Sequence, residues 1–293
     1  MHLPNITLHD VDTLEQAADL ATRLGPGSRF LAGGTDLLVD LKTGRVEATH
    51  LVSLNRIASL RKIEEDADGL RIGALTTITQ LDREGVVRTH YEAICDATSQ
   101  MAAPQIRNVA TVGGNIMSAV PCADLPPILT AMNASVVVWS KSGERTIPLE
   151  SFFVGVRATK LECGEVLTAV LVPEQPARFG AAYARFALRE GNAIAVASVA
   201  AGLQMATDDT IRSARIVLGA VSPTPVLVES AGRLLAGRTA NDESWEIAAR
   251  EAIAASHPIS DVRASAEFRR EIVGIMAKRA LRDALRRAQG GPS

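Results

Sequence analysis

Two short glycine stretches constrain this chain more than any other feature: Leu31-Ala32-Gly33-Gly34-Thr35-Asp36 and Thr111-Val112-Gly113-Gly114-Asn115. In each, the glycine pair removes two Cβ atoms, so the backbone can turn at positive φ and bring successive N–H groups toward an anion. Each stretch is expected to follow a short apolar strand, residues 29–32 in one case and 106–110 in the other, and to lead into a helix. A helix start adds unpaired donors and a partial positive charge. One Gly-Gly pair is commonly no more than a tight turn. Two loops of matching chemistry argue for a ligand with two phosphates, or for one diphosphate gripped from both sides. Neither loop carries the Gly-Lys-Ser/Thr of a Walker-type triphosphatase, which needs that lysine for its γ-phosphate.

At 293 residues the chain is long enough for two or three substructures with real cores. A net charge of −2 gives no electrostatic footprint for nucleic acid or an anionic membrane, and 3% aromatic residues leave few platforms for stacked bases. Apolar runs are broken by polar residues well short of the roughly 18 to 20 that a membrane span needs. The N-terminal residues Met1-His2-Leu3-Pro4-Asn5 lack the regions of a secretory signal, so a cytoplasmic location is expected. Cys95, Cys122 and Cys163 show no Cys-x-x-Cys spacing and are expected to be reduced, mostly buried thiols. The five dispersed histidines give no ligand spacing, and no acid–base or nucleophilic constellation is visible, so neither a metal site nor catalytic residues are assigned.

Along the chain, the spacing predicts a first helix over 13–24, with Thr13 and Gln16 placed for a capping box and Gly25 as its stop. A short helix follows the first glycine loop and ends at Gly44, and residues 50–54 read as a strand. A small α/β subdomain should close around 55–58. Strands near 61–64 and 70–74, a helix start capped by Thr77 and Gln80, and Tyr91, Ile94, Thr98 and Met101 at helical spacing then lead to the second glycine loop. Residues 135–139 and 165–172 have strand composition. The stretch 174–178 reads as a linker. Beyond it come longer strands near 181–188, 196–205 and 211–221, then helices over 226–236, 242–255 and 264–288. That order suggests an antiparallel sheet with helices on one face. Arg282, Arg286 and Arg287 in the last turns read as solvated cations favoured by the helix dipole.

The pairing of Ala32-Gly33-Gly34-Thr35-Asp36 with Thr111-Val112-Gly113-Gly114-Asn115, followed by Ala123-Asp124-Leu125-Pro126-Pro127, resembles the FAD-binding medium subunit of the molybdenum hydroxylases. That family includes flavoprotein subunits of xanthine dehydrogenase, carbon monoxide dehydrogenase, 4-hydroxybenzoyl-CoA reductase and bacterial aldehyde oxidoreductases. The resemblance runs over nearly the whole chain. It implies an α+β fold: a two-subdomain FAD-binding domain of the PCMH/VAO-like kind over 1–175, with subdomains of about 1–58 and 59–175, then a C-terminal antiparallel sheet covered by helices over 176–293. It implies FAD in this chain, a large partner subunit holding molybdenum-pterin, a small one holding 2Fe-2S clusters, and electron transfer through FAD to an external acceptor. A dimer of heterotrimers is the implied assembly. Some relatives carry a cysteine-rich insertion for a 4Fe-4S cluster, whereas here Asn115 leads to Asp124 with Cys122 alone, so that cluster is not expected.

The resemblance also implies site residues. Leu31, Ala32, Gly33, Gly34, Thr35 and Asp36, with Thr111, Val112, Gly113, Gly114 and Asn115, would hold the diphosphate mainly through backbone N–H groups. Asp124 would meet sugar or ribityl hydroxyls, whereas the residues alone favour a cap on the next helix. Met101 and Ala102 would lie beside the isoalloxazine, although Met101 also suits a core position. Val166 and Leu167 match positions that pack near the flavin and otherwise read as strand apolars. Arg185 falls where several relatives carry a lysine near the ring; the other reading is a surface strand arginine. Gly191-Asn192-Ala193 could form a turn approaching the ring. Two alternatives remain at this point, a self-contained flavin oxidoreductase and a non-redox dinucleotide-binding regulatory module.

Overall fold

The computed structural model describes residues 3–291; Met1, His2, Pro292 and Ser293, the outer ends of the N-terminal segment and of the glycine-containing tail, lie outside the described residues. The chain begins with β1 (Thr7–Asp10), α1 (Leu14–Leu24), β2 (Ser28–Leu31), α2 (Leu37–Thr43) and β3 (His50–Ser53). The three strands are parallel in the order β1-β3-β2. Successive strand side chains point to opposite faces. Leu51 therefore packs with Leu41 and Ala48, and Val52 packs with Val11 and Ala17 on the other side. The cap of α1 is half of a capping box: Thr13 Oγ1 accepts from the Gln16 N–H at 3.2 Å, but the Gln16 side chain reaches the N–H of Asp12.

The next part holds β4 (Ile63–Asp66), β5 (Gly69–Gly73), α3 (Ile78–Arg83), α4 (Gly85–His90), α5 (Ala93–Gln100), α6 (Pro104–Arg107), α7 (Val112–Met117), α8 (Leu125–Ala131), β6 (Ser135–Ser140), β7 (Gly143–Pro148), β8 (Phe153–Gly155), β9 (Ala158–Thr159) and β10 (Val166–Pro173). Strands β4-β5-β10-β6-β7 form an antiparallel sheet, and β8 and β9 form a hairpin of their own. Ile72, Val136, Val138 and Val170 of this sheet share one core with Ile78, Ile94, Ile116 and Ile128 from the helices. The Thr77–Gln80 capping box is complete, with reciprocal bonds of 3.1 and 2.9 Å.

Residues 106–110 are not the expected strand. Pro104 opens a single helical turn, where its fixed φ and missing N–H suit the first position. The second glycine loop is anchored instead by the Thr77–Thr111 bridge, with Ile78 N–H donating to Ala110 O and Val112 N–H to Thr76 O, each at 2.9 Å. Tyr91 falls in the break between α4 and α5, so the expected helix there is two pieces.

The last part contains β11 (Phe179–Ala187), β12 (Ala195–Met205), β13 (Ile211–Gly219), β14 (Val226–Leu227), α9 (Glu229–Leu235), α10 (Asp242–Ala255) and α11 (Ala266–Ala288). The strands are antiparallel in that order. Residues 226–227 extend the sheet before the helix expected there begins. Both faces of the sheet are covered. Ala182, Ala184, Val199 and Leu203 face Ala277, Leu281 and Ala284 of α11, while Ala181, Tyr183 and Ala200 face the α5 and α8 side. Arg287 is accordingly not a solvated cation. It donates to Asp96 of α5 at 2.7 and 2.9 Å and lies 3.0 Å from Glu92, with its side chain only 11% exposed. Arg282 and Arg286 do remain half-exposed. Cys95 and Cys122 are half-buried but Cys163 is exposed, against the expectation of mostly buried thiols. Among the described residues no helix is long and apolar enough to cross a membrane.

Candidate functional site

The first glycine loop follows β2 at the carboxyl edge of the parallel sheet, where α/β sheets leave a crevice for ligands. A cleft of about 580 Å³ opens there, within the usual size of a ligand site. Both glycine loops line it. They also touch: a Cβ on Gly33 would stand 2.1 Å from Val109 O and 3.2 Å from the Cα of Ala110, so only glycine allows the first loop to lie against the approach to the second. Gly34 turns the chain at φ 74°.

The two loops do different work. Among the described residues, the N–H groups of Gly33, Gly34, Thr35 and Asp36 have no protein acceptor, leaving four successive donors at the cleft. In the second loop the donors are taken. Gly113 N–H goes to Ala74 O at 2.8 Å, Gly114 N–H to Thr111 Oγ1 at 3.0 Å, and Asn115 N–H to Thr111 O at 2.9 Å. A Cβ on Gly113 would stand 2.7 Å from that of Ala74, so this loop contributes close packing and shape more than free donors. That differs from the expectation of two backbone cradles: the segment after β5 takes the N–H groups of Val112 and Gly113, and Thr111 itself takes those of Gly114 and Asn115.

Asp124 does not cap α8. The Leu125 N–H goes to the Asn115 side-chain oxygen at 3.4 Å, and Asp124, 7% exposed, turns inward. Its Oδ1 accepts from the Tyr183 hydroxyl at 2.8 Å and lies 3.0 Å from Arg185 Nε. Burial pushes the Asp124 carboxyl above its ordinary range, against the pull of Arg185 and Tyr183. Burial likewise raises the Tyr183 hydroxyl, with the Asp124 charge adding to it, and raises the neighbouring Cys122 thiol. Asp36, which is exposed at the open cleft but desolvated by its walls, is also raised; its contact with Ser118 works the other way.

Of the residues singled out from the sequence, Ala32, Gly33, Gly34, Thr35, Asp36, Met101, Ala102, Thr111, Gly113, Gly114, Asn115, Asp124, Val166 and Leu167 line the one cleft. Leu31, Val112 and Arg185 do not. Leu31 packs into the core beside α2 and Val112 is fully buried, because strand and helix periodicity turn their side chains away. Arg185 sits behind Asp124, 4% exposed, and is neither a surface residue nor part of the wall. Asn192 and Ala193 do reach the cleft, with Asn192 at φ 48°. Sequence reasoning missed Arg157, Asp40 and Ser118. Arg157, at φ 59° in the β8–β9 turn, donates its N–H to Ala119 O at 2.8 Å and both ends of its guanidinium to the buried Asp40 carboxylate. No local spacing marks it, since its partner is 117 positions away.

The geometry suits a dinucleotide. The free donors and Arg29 can meet a diphosphate, while Leu54, Leu75, Met101, Val166 and Leu167 offer an apolar wall to a planar ring. Comparison with known proteins agrees. Residues 4–175 match the FAD binding domain in molybdopterin dehydrogenase, and residues 181–284 match the CO dehydrogenase flavoprotein C-terminal domain. The chain is 33% identical to the xanthine dehydrogenase FAD-binding subunit of Escherichia coli O157:H7, covering 96% of this chain and 97% of that one. It is also 33% identical to the carbon monoxide dehydrogenase medium chain of Hydrogenophaga pseudoflava, over 95% and 96%. Among solved structures, the Cu,Mo-CO dehydrogenase matches with a TM-score of 0.94 at 32% identity, covering 98% of this chain and 100% of that chain. Quinoline 2-oxidoreductase from Pseudomonas putida 86 matches at 0.91 and 27%, with 99% of each chain covered. The chain therefore belongs to the FAD-binding medium subunits of the molybdenum hydroxylases, a family of multi-subunit oxidoreductases.

Proposed function

We propose that the cleft binds FAD, with its diphosphate on the N–H groups of Gly33, Gly34, Thr35 and Asp36 and the Thr35 hydroxyl, and its ring beside Met101, Ala102, Val166 and Leu167. Support comes from one observation above all: four adjacent backbone donors without a protein acceptor, beside a second glycine loop that packs too closely to tolerate side chains. FAD, when bound, supplies the electron-transfer chemistry. The chain's own part is to hold and orient it. The free donors and the Arg29 guanidinium oppose the phosphate charge, Arg157 being paired with Asp40, while the apolar wall excludes water from one side.

On this reading the chain passes electrons from 2Fe-2S clusters of a small partner subunit to an external acceptor, and the substrate reacts at molybdenum-pterin in a large partner. The assembly is a dimer of heterotrimers in the cytoplasm, and the chain divides into a flavin-binding part, 1–175, and a C-terminal part, 176–293. Names of relatives such as the medium chain of carbon monoxide dehydrogenase support this.

The test is purification of the chain alone and with its native partners. Alone, it is expected to be yellow, to carry one FAD, to bleach with dithionite, and to oxidise no purine or aldehyde. The native complex is expected to contain molybdenum, iron and FAD together. A colourless chain that takes up no added FAD would overturn the reading.

A further inference from the structure

Strand periodicity places Ala181, Tyr183 and Arg185 on the face of the C-terminal sheet that looks toward α5 and α8. Tyr183 and Arg185 converge there on Asp124, the one acidic group of the cleft wall that comes from the start of α8. Both contacts fall on Oδ1. Among the described residues Oδ2 has no protein donor, so it is the oxygen left for a ligand. The Arg185 Nε contact is an ion pair at a bent angle, not an aligned hydrogen bond. The aligned donors of the guanidinium go elsewhere: Nη1 to Gln100 O at 3.0 Å, and Nη2 to Ala193 O.

Gln100 ends α5 just before Met101 and Ala102, and Ala193 lies between Asn192 and Ile194; all of these but Gln100 line the cleft. Ala102 and Asn192 hold φ of 49° and 48°, a left-handed conformation that costs a non-glycine residue and persists only where surroundings over-determine it. The loops are also tied directly, Asn192 N–H to Ala102 O at 3.3 Å, and Arg107 holds Met101 O at 2.8 Å. One buried guanidinium thus contacts a carboxylate and two strained loops from three separate stretches of chain. A lysine would present its three donors from a single nitrogen and so lacks the planar fork that spans these acceptors.

We propose that Arg185 is a positioning residue of the flavin site: from the C-terminal sheet it fixes Asp124 and the loops 100–102 and 192–194, and so sets the ring end of the cleft before FAD arrives. It acts through these groups and does not line the cleft itself. The inference rests on the reading of the cleft as the FAD site, and makes the C-terminal sheet a working part of it.

The experiment is FAD titration of the full-length apo-chain, with visible circular dichroism at saturating FAD, for Arg185→Met, Arg185→Lys, Asp124→Asn and the Arg185→Met/Asp124→Asn double variant. Removing one member of a buried charge pair is costly, so Arg185→Met should weaken FAD about tenfold or more and alter the flavin dichroism. Coupled residues are non-additive, so the double variant should bind no more weakly than Arg185→Met. Arg185→Lys should leave the dichroism altered, because charge alone does not restore the two loop contacts. FAD binding by Arg185→Met within about twofold of the parent, or losses that multiply in the double variant, would overturn the proposal. If Arg185→Met does not fold, Arg185→Lys decides: parental dichroism refutes the clamp, changed dichroism supports it. Gly33→Val separates the two levels. If it too keeps full FAD, the cleft is not the flavin site; if it alone loses FAD, only the role of Arg185 fails.

Discussion

A methyl group on Gly33 would meet the Val109 carbonyl oxygen at 2.1 Å, a contact with backbone that no rotamer change relieves. Gly33→Val should therefore force the two loops apart and cost most of the bound FAD, read as the flavin-to-protein absorbance ratio. Gly44 offers the contrast. It ends α2 at φ 70° with open space around it, so Gly44→Ala should cost about 1–2 kcal/mol in denaturant unfolding and leave FAD content unchanged. Asp261 gives a pH-dependent case. Hydrogen bonds from Arg263, then from the buried Arg269, hold its carboxyl well below the ordinary 3.8. A carboxylate depressed in the folded state stabilises above its unfolded pKa, and the contribution is lost as pH falls through the folded one. Asp261→Asn should lower the thermal midpoint near pH 7, and the gap from the parent should close as pH drops below 3.8. The family resemblance flagged Asp124 and Arg185 as site candidates, against a helix cap and a surface strand arginine from the residues alone. Choosing between them needed Tyr183, 59 positions further along the chain from Asp124.

At the scale of elements, local rules served where the partners are local. The Thr77–Gln80 box, the Gly44 stop and the α10 limits follow from spacing a few residues long. They failed where a distant strand supplies the hydrogen bonds. Residues 106–110 are apolar enough for a strand, yet Pro104 and the pairing of Thr111 with Thr77 leave a helical turn and a bridge. The same pairing takes up part of the second glycine loop's donors, the N–H groups of Val112 and Gly113 going to Thr76 and Ala74. Thr111 holds that loop with its side chain as well, accepting the Gly114 N–H at 3.0 Å as the N-cap of α7. Thr111→Val should cost about 1 kcal/mol in urea unfolding and weaken FAD binding. A loss of stability with FAD affinity unchanged would show that this loop does not shape the cleft.

Across the whole molecule, α5 is the element on which the C-terminal sheet and the last helix meet the earlier part of the chain. Arg287 of α11 reaches Asp96 and Glu92 there, and Asp96 also accepts the Tyr183 N–H at 3.1 Å. Both carboxylates keep some solvent exposure, so the cost of breaking the link is discounted from that of a fully buried pair. Arg287→Met should destabilise the chain by roughly 2–3 kcal/mol, measured by denaturant midpoint, with the visible spectrum of bound FAD unchanged. The sheet that this link holds in place is apolar on both faces along β12, a continuous run that betrays double burial, though not what covers each side.

Taken alone, the order of residues settled many of the helices and strands, where several helices stop, that the chain carries two glycine loops, and which family it resembles. These depend on backbone sterics and on side-chain periodicity over a few residues. Tertiary structure decided the rest: that Gly33 touches the second loop's approach, that only the first loop keeps its donors free, and that Arg185 and Arg157 join the site from segments far along the chain. The physical reason is that a hydrogen-bonding group is committed by whichever partner folding brings near, and that partner carries no signature at the group's own position.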